Sequence, residues 1–111
     1  MNHDERKAAV AAYRQRKVES GVYVIRCTAS AQVWVGGVPD LATIRNRHWF
    51  TLRHGTHPNA ALQAAWTTHG ADSFTFEIAE RIAEDAPGLA RGRLLKELLE
   101  AWARRLDAAR L

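Results

Sequence analysis

The residues best suited to form a site lie in one short stretch, residues 21–37, with the sequence GVYVIRCTASAQVWVGG. The pattern is typical of two short strands joined by a polar turn. Each strand carries a polar-tipped ring near glycine, Tyr23 two residues after Gly21 and Trp34 two residues before Gly36. Two such rings beside bare backbone could form the floor of a binding site. The same pattern fits an ordinary aromatic-rich hairpin, and taken alone it favours that interpretation.

Composition indicates a globular protein with a modest basic excess. Sixteen Lys and Arg against twelve Asp and Glu give a net charge of +4 and a pI near 9.8. Most of the positive charge is arginine, whose planar guanidinium suits phosphate, so nucleic acid is a plausible partner. Many proteins carry such a charge without binding polyanions, and scattered solvated charges are the competing interpretation.

The same composition excludes several classes of protein. The single cysteine, Cys27, cannot form an internal disulfide, and the Cys and His spacing does not fit a zinc site. No apolar run approaches the roughly 20 residues of a membrane helix, so no membrane partner is expected. The N-terminus lacks an apolar signal core. We therefore expect a cytoplasmic protein, and its 111 residues suffice for one domain.

The remaining periodicity predicts four helices and one further strand. Residues 3–17 are rich in Ala, Arg and Lys and form a helix candidate with a narrow apolar stripe, either a solvated helix or a basic arm or dimer contact. Residues 39–53 predict a helix that places His48 between Ile44 and Leu52 on its apolar face. A helix with Pro58 in its first turn is predicted at residues 58–69, and a strand at residues 73–79. A last helix is predicted at residues 89–109, after an acidic turn in which Asp85 could be the N-cap. This order predicts an α+β fold, sandwich-like, with a three-stranded sheet flanked by helices.

An ordered set of motifs then gives the chain a family resemblance. The two hairpin motifs are Gly21-Val22-Tyr23 and Trp34-Val35-Gly36, and further matches follow at residues 46–48, 55–59, 62–66, 69–70 and 74–78. In order and spacing they resemble the GIY-YIG nuclease family over roughly residues 20–82. The resemblance implies a three-stranded antiparallel sheet flanked by helices in a domain of residues 20–111, with residues 1–19 as an N-terminal helical extension. It also implies an endonuclease that cuts phosphodiester bonds with Mg²⁺ or Mn²⁺.

The resemblance assigns roles to individual positions. Tyr23 matches the first motif tyrosine. Trp34 stands at the second, where its indole N–H could position a phosphate but cannot serve as a base. His48 and His57 match the family's helix and loop histidines. The family's phosphate-binding arginine falls on Ile44, and its metal-binding glutamate falls on Arg91.

Several nearby residues are candidates for the missing groups. Arg45 or Arg47 could act as a displaced arginine, and Glu97 could act as a fallback metal ligand. The candidate phosphate contacts around the site are Arg26, Arg45, Arg47, Arg53 and Arg91. Trp49 and Phe50 are adjacent in one helix and cannot both face inward, so one of them is a candidate stacking or protein-contact residue.

Two functional hypotheses follow from these residues. The first is a metal-dependent endonuclease with Tyr23, His48 and His57 at its centre. The second is a non-cutting descendant that keeps the fold and binds nucleic acid, DNA in the first place, or protein through the same face. The family's arginine is missing at Ile44 and its glutamate is missing at Arg91. Without these two groups cutting would be very slow, which favours the second hypothesis. A homodimer is also an open option.

Overall fold

The computed structural model describes residues 18–82 and 88–111, which form four strands and three helices. In chain order these are β1 (Gly21–Cys27), β2 (Val33–Val38), α1 (Leu41–Arg53), α2 (Ala60–His69), β3 (Phe74–Arg81), α3 (Gly88–Leu106) and β4 (Ala109–Arg110), with a short 3₁₀ turn at Ala71–Ser73. The predicted helix over residues 3–17 and the turn containing Asp85 lie outside the described residues. The α+β class predicted from the sequence is confirmed.

The strands form one sheet in the order β3-β1-β2-β4. β1 pairs antiparallel with both β2 and β3, as the resemblance implies, and its Tyr23 lies opposite Gly36 of β2. The sheet differs from the prediction in having four strands, because β4 adds to the outer edge of β2 in parallel, with Trp34 opposite Ala109. The central position of β1 places Tyr23 in the middle of the sheet.

The fourth strand arises where the last helix was expected to continue to residue 109. α3 instead ends at Leu106, because Asp107 adopts a left-handed backbone conformation with φ of 50°. The chain then turns back on itself, with the Ala108 N–H donating to the Ala103 carbonyl at 2.9 Å. The Leu111 N–H donates to the Val35 carbonyl at 2.7 Å, so edge groups of β2 gain partners. Pairing with β2 outweighs the helix propensity of these residues.

The two sheet faces bury separate clusters because side chains alternate along each strand. Tyr23, Ile25 and Trp34 lie on the face covered by α1 and α2, in the larger cluster. Val24 and Val35 lie on the opposite face with Ala103 of α3, in a smaller cluster. Phe74 is buried in the larger cluster, and Phe76 and Ile78 pack against it, which confirms the predicted inward side of β3.

Local signals set where the first two helices begin and end. The Asp40 side chain caps α1 by accepting from the Ala42 N–H at 2.9 Å, and the Asn59 side chain caps α2 by accepting from the Leu62 N–H at 3.0 Å. Pro58 therefore precedes the α2 cap, and the prediction that it occupies the first turn is wrong. Gly55, with φ of 72°, ends α1 by the left-handed turn that glycine adopts easily. Among the described helices, none combines the length and the apolar character needed to cross a membrane.

Candidate functional site

Three side chains from three different elements meet in one hydrogen-bonded relay. Tyr23 extends from β1, His48 from α1 and His57 from the loop between α1 and α2. The Tyr23 Oη lies 2.6 Å from His48 Nε2, and His48 Nδ1 lies 2.8 Å from His57 Nε2. The structure thus brings together three of the four residues to which the resemblance gives a role, and Trp34 is the fourth. We call this set the Tyr23–His48–His57 relay.

The second motif glycine makes room for the Tyr23 ring. A Cβ at Gly36 would lie 2.3 Å from both Cζ and Oη of Tyr23, closer than any real contact. The Tyr23 ring therefore sits directly on the bare backbone of β2, and Phe76 stacks beside it with centroids 5.4 Å apart. Tyr23 of the first motif and Gly36 of the second therefore pack directly against each other in the fold.

The loop that carries His57 is fixed by backbone and amide contacts. The His57 N–H donates to Oε1 of Gln63 at 3.1 Å, and Nε2 of Gln63 donates to the Leu52 carbonyl at 3.2 Å. The Asn59 N–H donates to Nδ1 of His57 at 3.0 Å. These contacts hold the His57 imidazole so that its Nε2 faces His48. Sequence reasoning missed Asn59 and Gln63, although Asn59 is a typical N-cap residue and both lie inside the matched motifs.

The Asn59 contact also sets the direction of the relay. A ring nitrogen that accepts a hydrogen bond carries no proton, so neutral His57 holds its proton on Nε2 and donates it to His48 Nδ1. By the same argument neutral His48 holds its proton on Nε2 and donates to Tyr23 Oη. Every donor therefore points towards Tyr23. The proton of the Tyr23 hydroxyl is left to donate elsewhere.

The electrostatics keep the whole relay neutral near pH 7. Burial raises the pKa of Tyr23 to about 12, and the positive charge of Arg47 opposes this only partly. Burial lowers the pKa of His48 to about 4, helped by the nearby His57 and Arg47. Burial also lowers the pKa of His57. A neutral phenol and two neutral imidazoles are the states that the hydrogen-bond direction requires.

Trp34 and Ile44 both belong to the larger apolar cluster. Trp34 is only 2% exposed and its ring stacks on Phe74, with centroids 6.3 Å apart. Ile44 is 8% exposed and belongs to the same cluster. The position that holds an arginine in the family is therefore part of the hydrophobic core here.

The candidate arginines lie in different surroundings. Arg47 is exposed beside the relay, where its charge acts on both Tyr23 and His48. Arg45 lies over the Trp49 ring at 5.6 Å, and Arg53 is exposed at the end of α1. Arg47 is thus the candidate best placed to contact a ligand at the relay.

Arg26 does not join this group of arginines. It alternates with Ile25 and Cys27 along β1 and so lies on the opposite sheet face from Tyr23. There its Nε donates to Oε1 of Glu77 at 2.8 Å. Arg26 therefore lies away from the relay, because strand alternation turns its side chain to the other face.

The residues around the relay do not fit a divalent metal. Mg²⁺ and Mn²⁺ favour carboxylate and other oxygen ligands, whereas both ring nitrogens of His48 and of His57 are already engaged in hydrogen bonds. Arg91 is half-buried on α3, and Glu97 is exposed on the same helix. Within residues 18–82 and 88–111, no group of three His, Cys, Asp or Glu side chains could hold a metal ion. The relay must therefore be understood through its own hydrogen bonds.

Comparison with solved structures finds the same fold in the catalytic domain of an endonuclease. A mutant of the catalytic domain of the intron endonuclease I-TevI superposes with a TM-score of 0.67 at 29% identity, covering 80% of this chain and 84% of that one. The catalytic domain of the homing endonuclease I-TevI superposes with a TM-score of 0.68 at 27% identity, covering 83% of this chain and 97% of that one. No protein-family model matches the sequence, and no curated protein does. The structural similarities confirm the resemblance predicted from the motifs.

Proposed function

Because this chain has the fold of a GIY-YIG nuclease domain, we propose that it binds the sugar-phosphate backbone of nucleic acid at the Tyr23–His48–His57 relay. DNA is the first candidate, since both similar structures are catalytic domains of endonucleases. One observation carries the proposal. Three polar side chains from a strand, a helix and a loop, at positions that match the motif residues of the resemblance, are joined by hydrogen bonds of 2.6 and 2.8 Å.

The state of the relay suits recognition of a phosphate. Tyr23 accepts from His48 and keeps its own proton. Its side chain is only 4% exposed, so the hydroxyl would donate to a phosphate oxygen that lies against half-buried His48. The high pKa of Tyr23 keeps that donor neutral and protonated across the physiological range. Exposed Arg47 supplies the positive charge, and a guanidinium can form two parallel hydrogen bonds with one phosphate.

Phosphodiester hydrolysis is the second candidate, favoured by the direction of the relay. Tyr23 would first have to release its proton to solvent, and its pKa of about 12 makes the phenolate scarce near pH 7. The His48 Nε2–H points at Tyr23 Oη and would stabilise that phenolate, which could take the proton of a water attacking phosphorus while the bond to the leaving oxygen breaks and that oxygen takes a proton from solvent. Two absences oppose it in the described residues. The arginine position holds buried Ile44, and no carboxylate cluster lies near the relay. Each lost group removes several kcal/mol of transition-state stabilisation, so we expect slow hydrolysis at most.

The binding proposal is tested by fluorescence anisotropy with labelled single-stranded DNA, duplex DNA and RNA over a range of salt concentrations. We expect Arg47→Ala to weaken binding and to lower the salt slope by about one, as for the loss of one phosphate contact. The matched control is Arg104→Ala. Arg104 is an exposed residue of α3, on the opposite sheet face, and its replacement removes the same charge. Equal losses in both variants would indicate nonspecific attraction and contradict a site at the relay.

Hydrolysis is tested separately with the same oligonucleotides, in the presence of Mg²⁺ or Mn²⁺ and of a chelator. Tyr23→Phe removes the hydroxyl but keeps the ring, and His48→Ala removes the donor to that hydroxyl. Cutting by the wild type that both variants abolish would establish the second candidate. Binding without cutting under every condition would establish a domain that binds only. Homodimerisation and a cytoplasmic location stay predictions from the sequence and are not needed for either outcome.

A further inference from the structure

The adjacent aromatic residues Trp49 and Phe50 have opposite environments. Trp49 is 8% exposed, and its ring makes edge contacts with Trp66 and Phe76 at centroid distances of 5.5 and 6.1 Å. Phe50 is 61% exposed on the outer side of α1. Trp49 is therefore a core residue. Phe50 remains an exposed ring without a role in the packing of the helix.

Phe50 is held in place by a second ring one turn along the helix. The His54 imidazole lies against it with centroids 4.2 Å apart and planes inclined at 34°. His54 is itself oriented by its Nδ1, which lies 2.8 Å from the Phe50 carbonyl oxygen and donates to it. The two rings form a preformed aromatic platform on the surface, which we call the Phe50–His54 platform. A rigid platform loses little conformational entropy when a ligand binds.

The charges around this platform select the kind of ligand. Arg47 and Arg53 lie three residues before and three residues after Phe50, and both are exposed on α1. The thirteen residues of α1 contain no Asp or Glu. Arg47 also acts electrostatically on the relay, so it lies between the platform and the proposed phosphate contact. The exposed Phe50 ring can stack on a planar aromatic group, and the flanking arginines attract negative charge. The surface therefore fits a ligand that carries both, an aromatic group attached to a polyanion.

We propose that the Phe50–His54 platform stacks against an unpaired nucleobase of the nucleic acid whose backbone contacts the relay. The inference rests on the proposed function and deepens it, because it names single-stranded or locally unpaired nucleic acid as the ligand. Stacking on an aromatic side chain is available only to a base with an open face, and it tolerates any base because every base has a π-face. Paired bases within a continuous duplex are stacked on their neighbours and cannot use the platform.

The experiment compares single-stranded DNA with the duplex of the same sequence in anisotropy titrations. We expect Phe50→Ala to weaken single-strand binding about 5- to 150-fold, the size expected for the loss of one base stack. Duplex binding should change much less. Phe50→Trp keeps a ring and should retain the affinity, whereas Phe50→Leu keeps apolar surface without a ring and should resemble Phe50→Ala. Phe50 is exposed, and thermal unfolding checks that each variant is folded.

Several results would overturn the platform. If Phe50→Ala binds single strands as the wild type does while Arg47→Ala is weakened, the platform is refuted and the proposed function stands. If Phe50→Leu retains full affinity, or if strands and duplexes lose equally, base stacking is refuted. If Phe50→Ala converts a dimer to a monomer in light scattering without changing single-strand affinity, the ring is a protein contact. If the wild type binds no nucleic acid, both the platform and the proposed function fail.

Discussion

Replacing Gly36 by alanine should disable the relay without changing any of its three residues. The new Cβ would lie 2.3 Å from Cζ and Oη of Tyr23 and 2.8 Å from Cε1, whereas ordinary contacts begin at 3.4 Å. The Tyr23 ring must therefore retreat by about 1 Å, the difference between 3.4 and 2.3 Å. A displacement of that size exceeds the range of a hydrogen bond that is now 2.6 Å long.

The cost follows from these two effects. Forcing an extra carbon into a packed site costs about 1–3 kcal/mol, and losing one hydrogen bond costs about 0.5–1.5 kcal/mol. We therefore expect Gly36→Ala to lower the free energy of unfolding by about 2–4 kcal/mol. That is a large share of the roughly 5–15 kcal/mol that stabilises a typical domain. Nucleic-acid affinity should fall together with the relay geometry.

Urea unfolding at pH 7 measures the loss, and Gly37→Ala is the matched control. Its Cβ would lie 3.2 Å from Cγ and Cδ1 of Leu95, a flexible side chain on the opposite sheet face, and should cost less than about 1 kcal/mol. In a Tyr23→Ala background the Gly36→Ala cost should fall sharply, because the clashing ring is gone. Equal stability of Gly36→Ala and Gly37→Ala would refute the packing argument.

Three further predictions concern pH, helix stability and the direction of the relay. The pKa of His48 is about 4 in the folded protein and 6.5 when unperturbed, so the unfolded chain binds more protons between these two pH values. The free energy of unfolding should therefore fall by about 1–3 kcal/mol as the pH drops from 6.5 to 4, allowing for solvent screening. The urea midpoint of His48→Gln should lose this pH dependence. Gly92→Ala lies inside α3 with open space around the new Cβ, so it should raise the free energy of unfolding by about 0.5–1 kcal/mol in the same assay, and a decrease would contradict this. Asn59→Pro removes the N–H that donates to His57 Nδ1, whereas Asn59→Ala keeps it. Only the proline variant should therefore change the ¹⁵N shifts of the His57 ring. Unchanged shifts in that variant would contradict the direction of the hydrogen bonds in the relay.

The hairpin and α1 could be predicted because their signals are local. Alternation assigned Tyr23 to one sheet face, and helical spacing assigned His48 to the apolar side of a helix that begins after Asp40. The same alternation already separated Arg26 from Tyr23, and its positive charge alone suggested a role at the site. Charge alone did not distinguish Arg26 from Arg47, which lies beside the relay.

The parts that could not be predicted depend on backbone groups and distant pairing. The direction of the relay comes from the Asn59 N–H, a group that every residue except proline carries and that no side-chain pattern reveals. The end of α3 depends on Asp107 turning and on a partner strand more than seventy residues earlier in the chain. The sequence of α3 favours helix to residue 109, and its local pattern shows neither the turn at Asp107 nor the open edge of β2 with which the chain then pairs.

The short parallel strand β4 also affects how one copy of the chain meets another. β2 reads Val33–Val38 and is almost entirely apolar, and without β4 its outer N–H and C=O groups would form an open edge. Such an edge can pair with a strand of a second molecule and begin aggregation. β4 and the Leu111 N–H cover this edge along Trp34 and Val35. Shortening the chain before Asp107 would therefore turn the strand that supports the Tyr23 ring into a surface for self-association.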